Sequence, residues 1–159
     1  DDDYIRSFDA VVISDYNKGF LTNLDITKIQ GCSKKTFMDT KKPLDSWALG
    51  IDYIKINEKE SKNPKHNPKT IQHLDYGLIV TLGSNGARYK GKHYPTKTSN
   101  VVDVVGAGDT FMSAFVYYIL SDKSVDEAIN FANECSSEAV KRRGVTLLGD
   151  IINKKPDQE

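Results

Sequence analysis

The chain has 159 residues, 38% of them hydrophobic and 9% aromatic, which suits one folded domain with a sizeable core and excludes intrinsic disorder. Lys plus Arg and Asp plus Glu are both 22, and this charge balance argues against nucleic acid or an anionic membrane surface as the main partner. No apolar run is long enough to span a bilayer, no signal peptide opens the chain, and Cys32 and Cys135 have no CxxC spacing, so the expectation is a cytoplasmic protein with reduced thiols.

FDAVVIS (8–14) is a short apolar, β-branched run and predicts a buried parallel strand. After the loop DYNKGFLT, TNLDITKIQGC predicts a helix with Thr22 as N-cap and Gly31 as its stop. KKTFMDT (34–40) and DYIKIN (52–57) read as the next strands, the latter running into a short polar helix start, NEKES. SKNPKHNPKT (61–70) has two prolines and no periodicity and reads as a loop. YGLIVTLGSNGARYKGKHYPT (76–96) reads as strand, glycine turn and hairpin. GDTFMSAFVYYILS (108–121) predicts a helix that is apolar nearly all round and therefore buried. SVDEAINFANECSSEAVKRRG (124–144) predicts an amphipathic helix, with Ser124 and Glu127 as capping box and Gly144 as stop. Strands alternating with helices give an α/β fold with a mainly parallel sheet, in one domain over residues 1–159. Asp15, Asp39, Asn57, Gly83 and Asp109 all follow a predicted strand or open a helix, which gathers them along the edge where such sheets bind ligands.

VVDVVGAGDTF (101–111) fits neither standard phosphate motif: no Gly-Lys-Ser/Thr exists for a P-loop, and Phe111 stands where a dinucleotide fingerprint needs its third glycine. What remains is a glycine-rich helix start with a carboxylate in its first turn. Asp109 there is either a helix-terminal charge or cap, or a general base beside an anion hole built from the N–H groups of Gly106, Ala107 and Gly108. His66, His73 and His93 have no ligand spacing, Tyr117-Tyr118 reads as helix packing, and KRR (141–143) as a charge cluster at a helix C-terminus.

DVVGAGDTF closely resembles the signature DTxGAGDxF of ribokinase-like (PfkB) sugar kinases, with Val104 where Thr is common. NEKE (57–60) resembles that family's N-x-x-E motif, TLGSNGA (81–87) its T-x-G-x-x-G turn, and ANECSSEAVKRRG (132–144) the helix that follows its catalytic one. SDYNKGFLT and MDTKKPL are most similar to the heptose-phosphate kinase branch. The resemblance, running over residues 9–148, implies a three-layer ribokinase-like fold, a mainly parallel sheet flanked by helices, that lacks the N-terminal part and lid. It implies ATP-dependent phosphotransfer to a hydroxyl of a sugar or sugar phosphate, with Asp109 as base and Gly106, Ala107 and Gly108 as anion hole. Thr81, Gly83, Ser84 and Gly86 would line the nucleotide, Asn133 would approach its base or ribose, and Lys41 would reach the phosphates. Asn57 and Glu60 would hold Mg²⁺ through its waters, and Asp103 would sit by a monovalent cation such as K⁺. The alternatives are a nucleotide-binding fragment without turnover, a nucleoside kinase relative, or an interaction remnant. Self-association is expected from an uncovered sheet edge.

Overall fold

A computed structural model describes residues 2–97, 101–144 and 146–153. Helix α1 (Asp2–Arg6) precedes strand β1 (Val11–Asp15), helix α2 (Asn23–Cys32), strand β2 (Thr36–Thr40) and strand β3 (Tyr53–Asn57). Helices α3 (Glu58–Ser61) and α4 (Pro68–His73) lead to strand β4 (Leu78–Thr81) and the hairpin of β5 (Ala87–Tyr89) and β6 (Lys92–Tyr94). Helices α5 (Ala107–Leu120), α6 (Val125–Ala139) and α7 (Leu148–Ile152) complete the chain. The sheet runs in the order β1-β2-β3-β4-β5-β6, and β1 to β4 pair in parallel. This is the α/β fold that the alternating pattern predicts.

The chain divides into two compact units, Asp1–Thr81 with Arg88–Lys92, and Leu82–Ala87 with His93–Glu159. In the first, apolar β-branched strands bury Phe37, Met38, Ile54, Ile56 and Ile79 at 1% exposure or less, each worth roughly 1.5–3 kcal/mol in transfer free energy. Registered neighbours Phe37 and Tyr53 stack their rings at 5.4 Å. β1 alternates instead, with Ile13 and Asp15 buried and Val12 and Ser14 exposed, as expected of the strand that ends the sheet order. Register places Asp15 opposite Thr40 and Asn57 opposite Thr81, so the strands finish together.

In the second unit α5 and α6 pack on each other. Thr110, Phe111, Met112, Ala114, Phe115 and Ile119 are buried on α5, and Ala128, Ile129, Ala132, Asn133, Cys135 and Ala139 on α6. Tyr118 stacks on Phe131 at 3.8 Å, the packing role expected of that pair. Burial pushes the Cys135 thiol up to about 11, so it is protonated and inert near neutral pH.

Thr22 and Ser124 cap α2 and α6 as read from sequence, each within a capping box. Four expectations are corrected. Gly31 does not stop α2, which runs on to Cys32; Ser33 ends it by donating its hydroxyl to the Ile29 carbonyl at 2.7 Å. Residues 61–70 are not all loop: Asn67 caps α4 and Pro68 occupies the first helical position, where its missing N–H costs nothing. α5 is not buried all round, since Tyr117 and Leu120 are exposed. α6 stops at Ala139 rather than near Gly144, because the Val140 carbonyl accepts the N–H groups of Val102 and Asp103 at 2.7 and 3.0 Å. α1 had no sequence signal, being too short to show periodicity.

Candidate functional site

In the first unit, Asn57 caps α3. Its Oδ1 accepts the Glu60 N–H at 2.8 Å, and Glu60 Oε2 accepts the Asn57 N–H at 2.7 Å. The two side chains thus form a capping box, which fixes both at the end of β3. His66 secures the same corner. Its Nδ1 accepts the Leu44 N–H at 2.8 Å, so Nε2 carries the proton and donates to the Glu60 carbonyl at 2.8 Å. Thr81 closes β4 and donates weakly to the Ile56 carbonyl at 3.4 Å.

Lys41 lies over the Tyr16 ring, 4.5 Å from its centroid, a cation–π contact in place of an extended reach. The neighbouring Lys42 is the buried one: its Nζ is 3.4 Å from Asp15 Oδ2, with side chains 10% and 4% exposed. Across β2 and β3, Lys55 pairs with its register partner Asp39 at 2.5 Å. Sequence reading missed Lys42 and Lys55. The available signal was a lysine within or just beyond a strand whose polar neighbours all fall at the sheet's carboxyl edge.

In the second unit, Gly83 and Gly86 bracket a short 3-10 turn with φ of 59° and 90°. A Cβ on Gly86 would meet the Tyr94 carbonyl oxygen at 2.1 Å, whereas one on Gly83 would meet nothing within 4 Å. Gly86 is thus required by packing, and Gly83 leaves open space above the turn that also carries Ser84. Asn133, buried, donates its amide to the Tyr94 carbonyl at 2.9 Å and so ties α6 to the end of the hairpin.

Asp103 anchors the glycine stretch. One carboxylate oxygen accepts the Val105 N–H at 3.0 Å and the other the Gly144 N–H at 3.1 Å, and these two bonds, Val105 first, hold its carboxyl below the ordinary range. Gly106 turns the chain at φ 77° and forms the N-cap of α5 with no side-chain cap; only glycine adopts that φ without strain. The Ala107 N–H donates to the Val104 carbonyl at 3.3 Å, which removes it from the expected anion hole. Gly108 stays in the first turn, where helix geometry supplies its N–H no acceptor. Ser136 donates to the Ala107 carbonyl at 2.9 Å, fastening this start to α6. Asp109 sits exposed at the third helical position and forms no capping box. A helix start with positive dipole, a glycine cradle and a carboxylate that has no hydrogen bond or ion pair among the described residues can hold an anion and accept a proton.

Among the described residues no cluster of three His, Cys, Asp or Glu side chains exists to cage a metal. The Asn57–Glu60 donor set still fits a hydrated hard cation, which keeps most of its waters and needs only one or two carboxylates. Asp103 supplies a carboxylate to a cation only through oxygens already accepting backbone N–H groups.

The sequence pattern of pfkB family carbohydrate kinases matches residues 18–150. The chain belongs to this family. The chain is 34% identical to the bifunctional protein HldE of a Nitratiruptor species, in an alignment spanning 99% of this chain and 39% of that protein. This agrees with the expected C-terminal half and heptose-phosphate branch. The fold is ribokinase-like. The crystal structure of ribokinase from Thermotoga maritima superposes with a TM-score of 0.76 at 22% identity, over 96% of this chain and 58% of that one. Arabidopsis thaliana ribokinase, solved with ribose and ATP, gives 0.71 at 23% identity, over 91% and 53%. The chain therefore spans about two fifths of the curated relative's length and somewhat over half of these solved structures. No described helix is long and apolar enough to cross a membrane.

Proposed function

We propose that this chain carries the nucleotide-binding and catalytic-base half of an ATP-dependent kinase acting on a sugar or sugar-phosphate hydroxyl. The observation that carries the reading is Asp109, exposed at the start of a helix that it does not cap, directly after the left-handed Gly106. In the proposed step an acceptor hydroxyl oxygen bonds to the γ-phosphorus as the bond to the ADP oxygen breaks. The hydroxyl proton passes to the Asp109 carboxylate, and the Gly106 and Gly108 N–H groups stabilise the charge on the phosphoryl oxygens. Within the second unit the open face at Gly83 and the adjoining Ser84 and Gly86 serve the nucleotide, while Asn133 shapes that wall from behind. In the first unit Thr81, at the end of β4, serves the nucleotide as well, and Lys41 is held back over Tyr16. Asn57 and Glu60 would hold Mg²⁺ through its water shell, and bound Mg²⁺ would neutralise phosphate charge. Asp103 would neighbour a K⁺ ion through its loop.

A second reading is a nucleotide-binding piece without turnover. Either form is proposed to work in the cytoplasm and to self-associate through the end strand β1, whose Val12 is 49% exposed; sedimentation that shows only monomer at high concentration would remove the self-association. Calorimetric titration with a non-hydrolysable ATP analogue and Mg²⁺ tests the main reading. Saturable binding that weakens in Asn57→Ala, with sugar-dependent ADP release by the unaltered chain, supports the kinase. Binding without release supports the second reading, and no binding at millimolar nucleotide overturns both.

A further inference from the structure

The turn between β4 and β5 carries a reactive pair of residues that phosphoryl transfer does not use. Asn85 is followed by Gly86, and no other asparagine of the chain precedes a glycine. Asn63 and Asn67 precede prolines, whose nitrogens have no proton to lose. Asn85 is exposed, and its side-chain amide makes no hydrogen bond among the described residues. The Gly86 nitrogen, next along the chain, has no side chain beside it to hinder attack on that amide.

Two hydrogen bonds bear on this nitrogen in opposite senses. His93 Nε2 stands 2.6 Å from the Asn85 carbonyl oxygen; since a carbonyl only accepts, the imidazole donates there, in a short bond. That bond draws electrons from the peptide group joining Asn85 to Gly86 and eases loss of the Gly86 amide proton. Against it, the Gly86 N–H donates to the Gly83 carbonyl at 3.1 Å. This longer bond closes a single exposed turn, and such turns open locally at small cost.

We propose that Asn85 is a site of spontaneous deamidation, aided by His93, that limits the working life of this turn. Solvent base takes the Gly86 amide proton, and the nitrogen bonds to Asn85 Cγ as the Cγ–Nδ2 bond breaks. The departing group takes a proton from water and leaves as ammonia. Water then opens the cyclic imide at either carbonyl, its oxygen bonding to that carbon and a proton returning to the Gly86 nitrogen. The balance is asparagine plus water giving ammonia and either aspartate or isoaspartate, with nothing oxidised or reduced.

Both products disturb the turn. Aspartate places a negative charge between Ser84 and Gly86, where it repels a polyphosphate. Isoaspartate lengthens the main chain by one carbon inside a loop already closed by the Leu82 N–H on the Gly86 carbonyl at 2.7 Å. Gly86 has no slack to absorb it, since even a Cβ there would meet the Tyr94 carbonyl oxygen at 2.1 Å. The loss of nucleotide binding rests on the kinase reading above; the deamidation itself does not.

The test holds the 159-residue chain at mildly alkaline pH for several weeks, with and without urea, and follows each asparagine by peptide mapping and mass spectrometry. The expected result is that Asn85 of the folded chain converts before every other asparagine. His93→Ala should slow that conversion several-fold with an unchanged far-ultraviolet circular dichroism spectrum. The converted chain should bind the ATP analogue about tenfold more weakly than fresh chain. Asn85→Gln, whose longer side chain closes an imide far more slowly, should keep its fresh affinity on ageing. No conversion at Asn85, equal conversion at all asparagines, or conversion in urea alone would overturn the proposal. Equally fast conversion in His93→Ala would overturn the part given to His93, and undiminished analogue binding by converted chain would overturn the limit on the turn. Conversion of Asn85 in a chain that binds no nucleotide even when fresh would sink the kinase reading and leave the modification site standing.

Discussion

Asn57–Glu60 and Gly106–Asp109 are both short polar motifs that place an acid at the third position of a helix, and the structure treats them oppositely. Glu60 closes a capping box with Asn57 over a helix of four residues, which could not hold its start without such bonds. Asp109 sits on a helix of fourteen residues whose N-cap is a glycine with no side-chain cap. The long helix is held by its buried Phe111, Met112 and Phe115 and by Ser136 on the Ala107 carbonyl, so its acid is not needed for stability. The lesson is that an acid engaged by its own helix start serves structure first. An acid left aside where a cap was available keeps its acceptor capacity for something else.

The sharpest break of this comparison is Asp109→Asn. Removing a general base should lower sugar-dependent ADP release by about 10²–10⁴-fold, while the thermal midpoint moves by no more than about 3 °C, the loss of one charge beside the helix dipole. A large drop in midpoint would show that Asp109 is structural after all. Next comes the glycine pair. Gly86→Ala forces a Cβ against the Tyr94 carbonyl at 2.1 Å and should cost about 2–3 kcal/mol or more in urea unfolding. Gly83→Ala, in open space at φ 59°, should cost only about 1 kcal/mol. Smaller again, Asn57→Ala should cost about 1 kcal/mol through the lost cap. Glu60→Gln, which can still close the box, should keep stability and shift only the Mg²⁺ dependence of nucleotide binding; equal stability losses in the two variants would leave no separate role for the Glu60 charge.

The strands, both long helices, the hairpin and two caps were legible because period, β-branching and capping chemistry are local. Lys42 was not: its burial depends on Asp15, 27 positions earlier, arriving alongside it through the β1–β2 register. The early end of α6 was hidden for the same reason, since the segment that takes the Val140 carbonyl comes from residues 102 and 103. Within the glycine stretch, composition announced a helix start for an anion, but only backbone geometry shows that the Ala107 N–H is already bonded to Val104. A motif names the residues of a site, whereas non-local bonds decide which of their atoms are available.

Asp103 supplies the finest test of that distinction, because it is an acid of the second region that behaves like Glu60. Both its oxygens accept backbone N–H groups, from Val105 and Gly144, and its folded-state carboxyl lies below the ordinary 3.8. A depressed folded value means that ionised Asp103 favours the folded state. Its contribution is fully present above the ordinary value and is lost as pH falls through the lower, folded one. The unaltered chain should therefore lose more stability between about pH 5 and pH 3 than Asp103→Asn does in urea unfolding. In the variant, amide exchange at Val105 and Gly144 should quicken while that at Asn57 and Glu60 stays constant. Equal pH dependence in the two chains would mean that Asp103 does not hold the glycine stretch, and that its orientation is set by the Val140 carbonyl alone.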